Sequence, residues 1–222
     1  RTGVSNYLSR YKYSNAVSSD LWNSLAKVSN KPIKQITERW IRQAGYPLVE
    51  STLENLNLTL QQKRFVFNQK DGTLWPVPLA IKTDDKLLME MLDKQKKSIA
   101  LDKTPDWFKI NYGQTGFYRV KYPNDNLTKL KFLVSNKDLN ALDRWGIQND
   151  LFELSRNGET TIDGYLDFSR SYYNEDSYLV LSDIYQGIRG IYFVFSQEPF
   201  WNSVWHKFRN YHKETFKRIL DK

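Results

Sequence analysis

The sequence contains no cysteine and only two histidines in 222 residues. Disulfides, thiolate metal sites and cysteine nucleophiles are therefore excluded. The lack of cysteine suits a reducing compartment, so a cytoplasmic location is expected. A catalytic zinc site takes three protein ligands, usually with two histidines on a rigid spacing such as His-Glu-x-x-His. His206 and His212 stand six positions apart, about 1.7 helical turns, and point to nearly opposite sides of one helix. They cannot share an ion from there. His212 falls on an apolar stripe and reads as a packed, hydrogen-bonded histidine, whereas His206 reads as surface. There is no Gly-x-Ser-x-Gly elbow, and a serine triad has no base beside a nucleophile. No apolar run approaches the ~20 residues of a membrane helix. The longest, around 191–195, is far shorter. No signal peptide is visible, and the chain opens at Arg1 instead of Met, which fits a processed piece.

What is present is ordinary globular material with a basic balance. The net charge is +8, but Lys and Arg are scattered among Asp and Glu, and the densest run, 94–97, is short. A dedicated nucleic-acid binder concentrates its charge on one face, so solvated surface is the better reading. Aromatic residues make up 15%, enough large side chains to fill a core.

The period of the apolar residues changes twice. Over about 1–44 it is helical. Val4, Leu8 and Tyr11 share one face, and Leu21, Trp22, Leu25 and Val28 form a second stripe. Ser18 or Ser19 is expected to cap that second helix, with Asp20 at its positive end. Ser29 or Asn30 is expected to cap a third, with Pro32 near its first position. Ile33, Ile36, Trp40 and Ile41 follow at helical spacing, and Gly45 and Pro47 end it.

From about 48 to 123 the period is two. Leu56, Leu58 and Leu60 alternate with polar residues, and Phe65 and Phe67 continue the pattern. Asp71-Gly72 predicts a hairpin into a strand through Trp75, Val77 and Leu79, whose Pro76 and Pro78 suggest a sheet edge. Trp107, Phe108 and Ile110 lead through Gly113 and Gly116 into residues 117–122, read as another hairpin. These short strands predict a small antiparallel sandwich. From about 125 the helical period returns, with some five helices. Leu181, Ile184, Tyr185, Ile188, Ile191, Tyr192 and Phe195 fit one face. Trp201, Trp205, Phe208, His212 and Ile219 mark another. Gly158 reads as a helix-ending turn, while Gly187 and Gly190 fall inside a periodic run. Successive helix pairs are expected to stack as a solenoid does.

Few groups here suggest chemistry. Gly113-Gln114-Thr115-Gly116 lies between strands, with no helix N-terminus to face a phosphate, and reads as a turn. Asp84-Asp85 and Glu175-Asp176 read as turn and cap residues; a glycosidase pair would need facing geometry. Tyr172-Tyr173 and Phe200-Trp201 read as core packing in preference to base stacking. Asn57-Leu58-Thr59 and Asn126-Leu127-Thr128 match glycosylation acceptors, a pattern common by chance.

The order of motifs carries a resemblance. Gly3-Val4, Tyr7-Leu8, Tyr11-x-Tyr13-x-Asn15-Ala16, Asp20-Leu21-Trp22 and Trp40-x-x-Gln43-x-Gly45-Tyr46-Pro47 resemble the end of the thermolysin-like domain in the aminopeptidase N family. Trp75-Pro76-Val77-Pro78-Leu79 and Gln114-x-Gly116-Phe117-Tyr118-Arg119-Val120-x-Tyr122 are similar to its β-sandwich domain. Asp143-Arg144-x-Gly146-Ile147-x-x-Asp150-x-Phe152-x-Leu154 resembles the opening of its C-terminal helical domain. The resemblance covers about residues 1–185, with the archaeal, tricorn-interacting branch nearest in flavour. It fades after about Ile188, and Trp145 stands where the family more often has a smaller residue.

The resemblance implies an α+β multidomain chain. Residues 1–47 would be the helical end of the catalytic domain, 48–123 a β-sandwich domain, and 124–222 the truncated start of the α-helical C-terminal domain. It implies a parent enzyme, a zinc metallo-aminopeptidase that removes N-terminal residues from peptides. The family's zinc and substrate motifs would lie before Arg1. No catalytic, cofactor-binding or metal residue is therefore expected in this chain, which on its own is expected to be inactive and without cofactor. Trp40 and Tyr46 are expected to pack where helices meet sandwich, and Gly116 to make a turn. The expected partners are the missing catalytic domain and, in the parent, a peptide substrate; neither nucleic acid nor membrane is expected. Trp201, Trp205 and Phe208 are expected to be partly exposed, or covered by another copy of the chain through self-association. Two other readings stand beside this one: a stand-alone scaffold or peptide-binding module, and, more weakly, a basic nucleic-acid-binding protein.

Overall fold

The computed structural model describes residues 1–66 and 71–199, together with Trp201 and Lys213. Three helices come first: α1 (Thr2–Arg10), α2 (Ser18–Ser29) and α3 (Ile33–Arg42). Seven strands follow: β1 (Pro47–Glu54), β2 (Asn57–Arg64), β3 (Val77–Thr83), β4 (Leu87–Leu92), β5 (Lys96–Ala100), β6 (Phe108–Ile110) and β7 (Arg119–Lys121). Then come α4 (Asn124–Ser135), α5 (Ala141–Arg156), α6 (Ile162–Ser169) and α7 (Tyr178–Phe195). The arrangement is α+β, with a helical C-terminal segment.

The helix ends differ in detail from the sequence expectation. Ser18 is already helical; Val17 is the N-cap, and its backbone N–H donates to the Asp20 carboxylate at 3.0 Å. Asn30 ends α2 in the left-handed region instead of opening α3, whose N-cap is Pro32. The expected stripe on α1 is largely exposed, with Val4 and Leu8 open to solvent.

The strands form two sheets, in the orders β5-β2-β1-β7 and β4-β3-β6. β1 and β2 make a hairpin through Asn55, which turns at φ 53°. Among the described residues the two hairpins expected next are absent. β2 and β3 belong to different sheets, so the chain passing Asp71-Gly72 crosses between them. Gln62, fully buried, holds that crossing. Its Oε1 accepts from Trp75 N at 2.9 Å, and its Nε2 donates to Trp75 O, Leu92 O and Lys94 O at 2.8–3.1 Å. A buried amide with every site partnered fixes a single arrangement. β6 and β7 are likewise in different sheets, and β7 pairs with β1 in parallel, through Val49↔Val120. The sheets are therefore not wholly antiparallel. β3 is the central strand of its sheet, but β6 reaches only Ile81–Thr83. Pro78 thus sits where one side of β3 is free of a ladder, as its missing N–H requires. Phe67 lies outside the described residues.

One core joins both sheets to the helices, from Val49, Leu58 and Leu60 through Trp75, Leu79 and Ile81 to Ile147, Tyr165 and Ile188. Trp40 donates its indole N–H to Pro76 O at 3.0 Å and packs on Trp75. Tyr46 packs between Phe65 and Phe117. Both residues do what was expected of them. α7 is continuous through Gly187, where a Cβ would meet the Tyr165 hydroxyl at 2.8 Å, so the glycine serves close packing. Trp201 is buried, its ring edge-on to Tyr192 at 5.6 Å, which corrects the expected exposure at that position. Trp205, Phe208, His206, His212, Ile219 and Phe200 lie outside the described residues.

Candidate functional site

The two motifs in the middle of the chain meet. A tight turn follows β6: Asn111 and Gln114 adopt positive φ of 57° and 51°, and Gly113 71°. Asn111 secures it, its Oδ1 accepting from Gly116 N at 2.8 Å and its Nδ2 donating to Gly116 O at 3.0 Å. Gly116 itself has ordinary φ; it is required because a Cβ there would stand 2.2 Å from the Tyr118 ring. α5 is capped by Asn140, whose side chain accepts from Asp143 N at 2.9 Å. The first turn of α5 then offers Asp143 to the strand turn, where its Oδ1 accepts from Gly113 N at 2.8 Å.

Charge is buried at this junction. Lys109, on β6, is fully inaccessible, and its ammonium donates to Ile110 O at 2.5 Å, 3.5 Å from Asp143 Oδ1. Burial lowers its pKa, and Asp143 and Asp150 oppose the fall. Asp150, one helical face along α5, accepts from Arg119 at 3.2 Å and from Val120 N at 3.2 Å. Burial pushes its carboxyl up to about 6 against the pull of Arg119 and Lys109. Arg144 pairs with Glu175 through two bonds of 2.7 Å and donates to Leu139 O. Glu175 also accepts from Ser177 N at the start of α7.

Beside these pairs lies a cavity of about 270 Å³, with Gln114, Tyr118, Arg119 and Asp150 in its wall and Tyr46, Phe117 and Trp145 about it. Burial raises the Tyr118 phenol well above its usual pKa, and the Asp150 charge adds to this. The Asn111 backbone N–H opposes the rise, but from outside hydrogen-bond geometry.

This donor set does not fit zinc. The carboxylates at the junction are engaged by cations and backbone amides, and among the described residues no three metal-ligating groups converge. Asp84 and Asp85 bind Lys103 and Thr83, and Glu175-Asp176 caps and pairs, so both act as turn and cap residues. Tyr172 is core, its hydroxyl on Arg144 O at 2.7 Å. Asn126 is buried with both side-chain atoms bonded to Phe108, which leaves no room for a glycan. Sequence reasoning flagged Gln114, Arg119, Asp143 and Asp150 only as motif residues. It missed Lys109, whose strand period places it opposite Phe108 and Ile110, toward solvent. Among the described residues no helix is long and apolar enough to cross a membrane.

Comparison with known proteins agrees with the motif order. The chain is 37% identical over 186 residues to probable aminopeptidase 2 of Sulfurisphaera tokodaii, covering 83% of this chain and 23% of that protein. It is 33% identical to the tricorn protease-interacting factor F2 of Thermoplasma volcanium, covering 87% and 24%. It is 31% identical to a puromycin-sensitive aminopeptidase of Caenorhabditis elegans, covering 84% and 21%. The chain thus spans about a quarter of the length of the curated relatives it matches. The model of the ERAP1-like C-terminal domain matches residues 107–222, well past the point near Ile188 where the motif resemblance fades. The chain belongs to the family of the ERAP1-like C-terminal domain, and so to the C-terminal region of aminopeptidases of the aminopeptidase N type.

Proposed function

We propose that this chain is the non-catalytic portion of a zinc metallo-aminopeptidase that removes N-terminal residues from peptides. Residues 48–123 act as a sandwich-like spacer, and the helices from α4 onward wall the chamber in which the substrate lies. The observation that carries the reading is the extent of the similarity. It runs over 83% of the chain, across helices, sheets and helices again, in relatives named aminopeptidase. The buried pairs between β6, β7 and α5 support a rigid joint of spacer to wall. Zinc in such an enzyme activates water for attack on the first peptide bond; among the described residues of this chain no group of three potential ligands for it converges.

The test is a pair of assays with leucine p-nitroanilide. The 222-residue chain is expected to release no nitroaniline, with or without added zinc. The reading frame extended ahead of Arg1 through a His-Glu-x-x-His motif is expected to release it, and a chelator to stop the release. Chelator-sensitive turnover by the chain alone would overturn the reading, as would the absence of any such motif in frame.

A further inference from the structure

Four strands form the outer edges of the two sheets, and three of them are guarded. β6 is three residues long, and its Phe108 and Ile110 N–H groups donate to Asn126 and the Tyr122 hydroxyl. β7 is as short, and its Val120 N–H donates to Asp150. β5 opens on Lys96 and Lys97, and lysines on an edge discourage further pairing. β4 has no such device. It reads Leu-Leu-Met-Glu-Met-Leu and pairs with β3 at six successive positions, without a bulge, a proline or a lysine. Such an edge is a template for one more strand.

The register shows which groups are open. Thr83 N donates to Lys86 O at 2.9 Å across the turn between β3 and β4. Ladder bonds alternate from there, so Leu88, Glu90 and Leu92 bond β3, and the N–H and C=O groups of Leu87, Met89 and Met91 face away from it. Lys97 Nζ takes Met91 O at 3.1 Å. Leu87 and Met89 have no such partner among the described residues, and both are exposed, Met89 by 70%.

A groove of about 970 Å³ runs beside this edge, between β4 and α3. Ile36, Pro76, Pro78, Met89 and Met91 give it apolar surface. Lys31, Arg39 and Arg42 stand on its α3 side. Residues 1–46 hold eight Lys and Arg against two Asp and Glu, and none of the eight forms an ion pair with a described residue. In the groove Glu90 is taken by Lys97 at 2.7 Å, which leaves Glu38 and Asp93 against the three cations. The excess selects an acidic partner over a basic one.

We propose that an extended, acidic segment of a separate protein docks here, adding as a strand to β4 and sending alternate side chains into the groove. A nucleic acid or an anionic bilayer offers charge to the cations but no strand to pair with Leu87 and Met89. A second copy of this chain would bring another β4, whose one acidic residue is already engaged by Lys97. The surface is independent of any catalytic role of a parent enzyme.

Met89 and Met91 are the only methionines in the sequence. Labelling the chain with methyl-13C methionine therefore gives two NMR signals, both at the site, and Met89→Leu assigns them. The probe is acetyl-Glu-Val-Glu-Val-Glu-Val-amide. It is expected to shift both signals saturably and to slow amide exchange at Leu87 and Met89. The same peptide N-methylated at every residue keeps its side chains but donates no backbone bond, and is expected to bind at least roughly tenfold more weakly. A version with Lys for Glu is expected to bind more weakly as well. Arg39→Glu with Arg42→Glu is expected to weaken the acidic peptide by roughly tenfold and to leave the urea midpoint unchanged, since both side chains are exposed. Signals that the acidic peptide leaves unmoved, or that the N-methylated or lysine peptide shifts as strongly, overturn the proposal. So does a stronger response to a short DNA duplex or to phosphatidylserine vesicles. Slow exchange at Leu87 and Met89 in the chain extended ahead of Arg1, with no peptide added, also overturns it, because the longer polypeptide would then fill the edge itself.

Discussion

The carboxamide of Gln114 lies so close to the backbone of Gly146 that a Cβ at Gly146 would stand 1.8 Å from Gln114 Nε2 and 2.2 Å from its Cδ. The turn after β6 and the helix α5 thus dock through a missing side chain. Their motifs, distant in the chain, are two halves of one contact.

Gly146→Ala sets two effects against each other. Alanine favours a helix interior over glycine by about 1 kcal/mol. Overpacking a fitted interface costs about 1–3 kcal/mol. The Gln114 amide is held by Asn111, so it does not swing clear without losing that bond. A net loss of about 1–2 kcal/mol is expected in urea unfolding. Gln114→Ala in the same chain is expected to recover part of it, a coupling that a double-mutant cycle reads directly. A Gly146→Ala chain as stable as the parent would show that the contact yields without cost.

Asp150 gives stability an unusual slope with pH. Its carboxyl titrates near 6 in the folded chain, raised by burial, against about 3.9 unfolded. A raised folded value means that the folded state holds its proton longer. The contribution is complete below pH ~4 and is lost as pH rises through ~6. Asp150→Asn is neutral throughout, so the stability of the parent relative to this variant is expected to fall across that window, by roughly 3 kcal/mol at most. Glu159 slopes the other way. Burial opposes its charge, but Lys121 and Lys63 outweigh it and lower its pKa, so its contribution disappears only in more acidic solution. Urea midpoints at pH 4, 5, 6 and 7 test the difference; a flat ratio between parent and variant contradicts it.

Much of the fold was legible because period alone marks the elements. Leu58 and Leu60 alternate into the core as read, though Leu56, in the turn before them, is exposed, and Trp40 and Tyr46 pack where the helices meet the strands. Pairing was not legible. Asp71-Gly72 has the chemistry of a hairpin, yet the chain passing it changes sheets, because the buried Gln62 side chain on β2 bonds the Trp75 backbone on the other side of the crossing. Local turn propensity says nothing about that. The candidate site was half legible. Gln114 and Gly146 stood out as motif residues, but only the structure shows them touching. Lys109 was hidden for a related reason. Alternation sends it toward solvent, but the elements around β6 bury it completely beside Asp143.

Lys109 and Asp143 offer the cleanest test of that burial. Removing one member of a buried ion pair leaves the other without its countercharge and costs about 3–5 kcal/mol. Lys109→Met is therefore expected to destabilise strongly, since methionine fills the space but leaves the Asp143 carboxylate with only the neutral Gly113 N–H and Asn140 side-chain amide as donors. The double variant Lys109→Met, Asp143→Asn removes both charges and is expected to lose less than the single one. Chemical denaturation of the three chains decides it. A double variant worse than Lys109→Met would mean that Asp143 serves its amide partners more than the ammonium.

Arg144 makes the sharpest distinction between shape and charge. Its guanidinium bonds both oxygens of Glu175 at 2.7 Å and the Leu139 carbonyl at 2.5 Å, while its own carbonyl accepts from the Tyr172 hydroxyl. The side chains of Arg144 and Glu175 are 7% and 1% exposed. A lysine keeps the charge but presents a point donor where a planar fork is fitted. It could reach one Glu175 oxygen or the Leu139 carbonyl, not all three acceptors at once. Arg144→Lys is expected to lower stability by roughly 2 kcal/mol, the scale of charge-assisted bonds left unmade. The loss is expected to persist in 1 M salt, because a buried pair is screened far less than a surface one. Glu175 also caps α7 through Ser177 N, so amide exchange at the start of α7 is expected to quicken in the same variant. Unchanged exchange there, with stability lowered, would place the effect of Arg144 at Leu139 and not at the carboxylate.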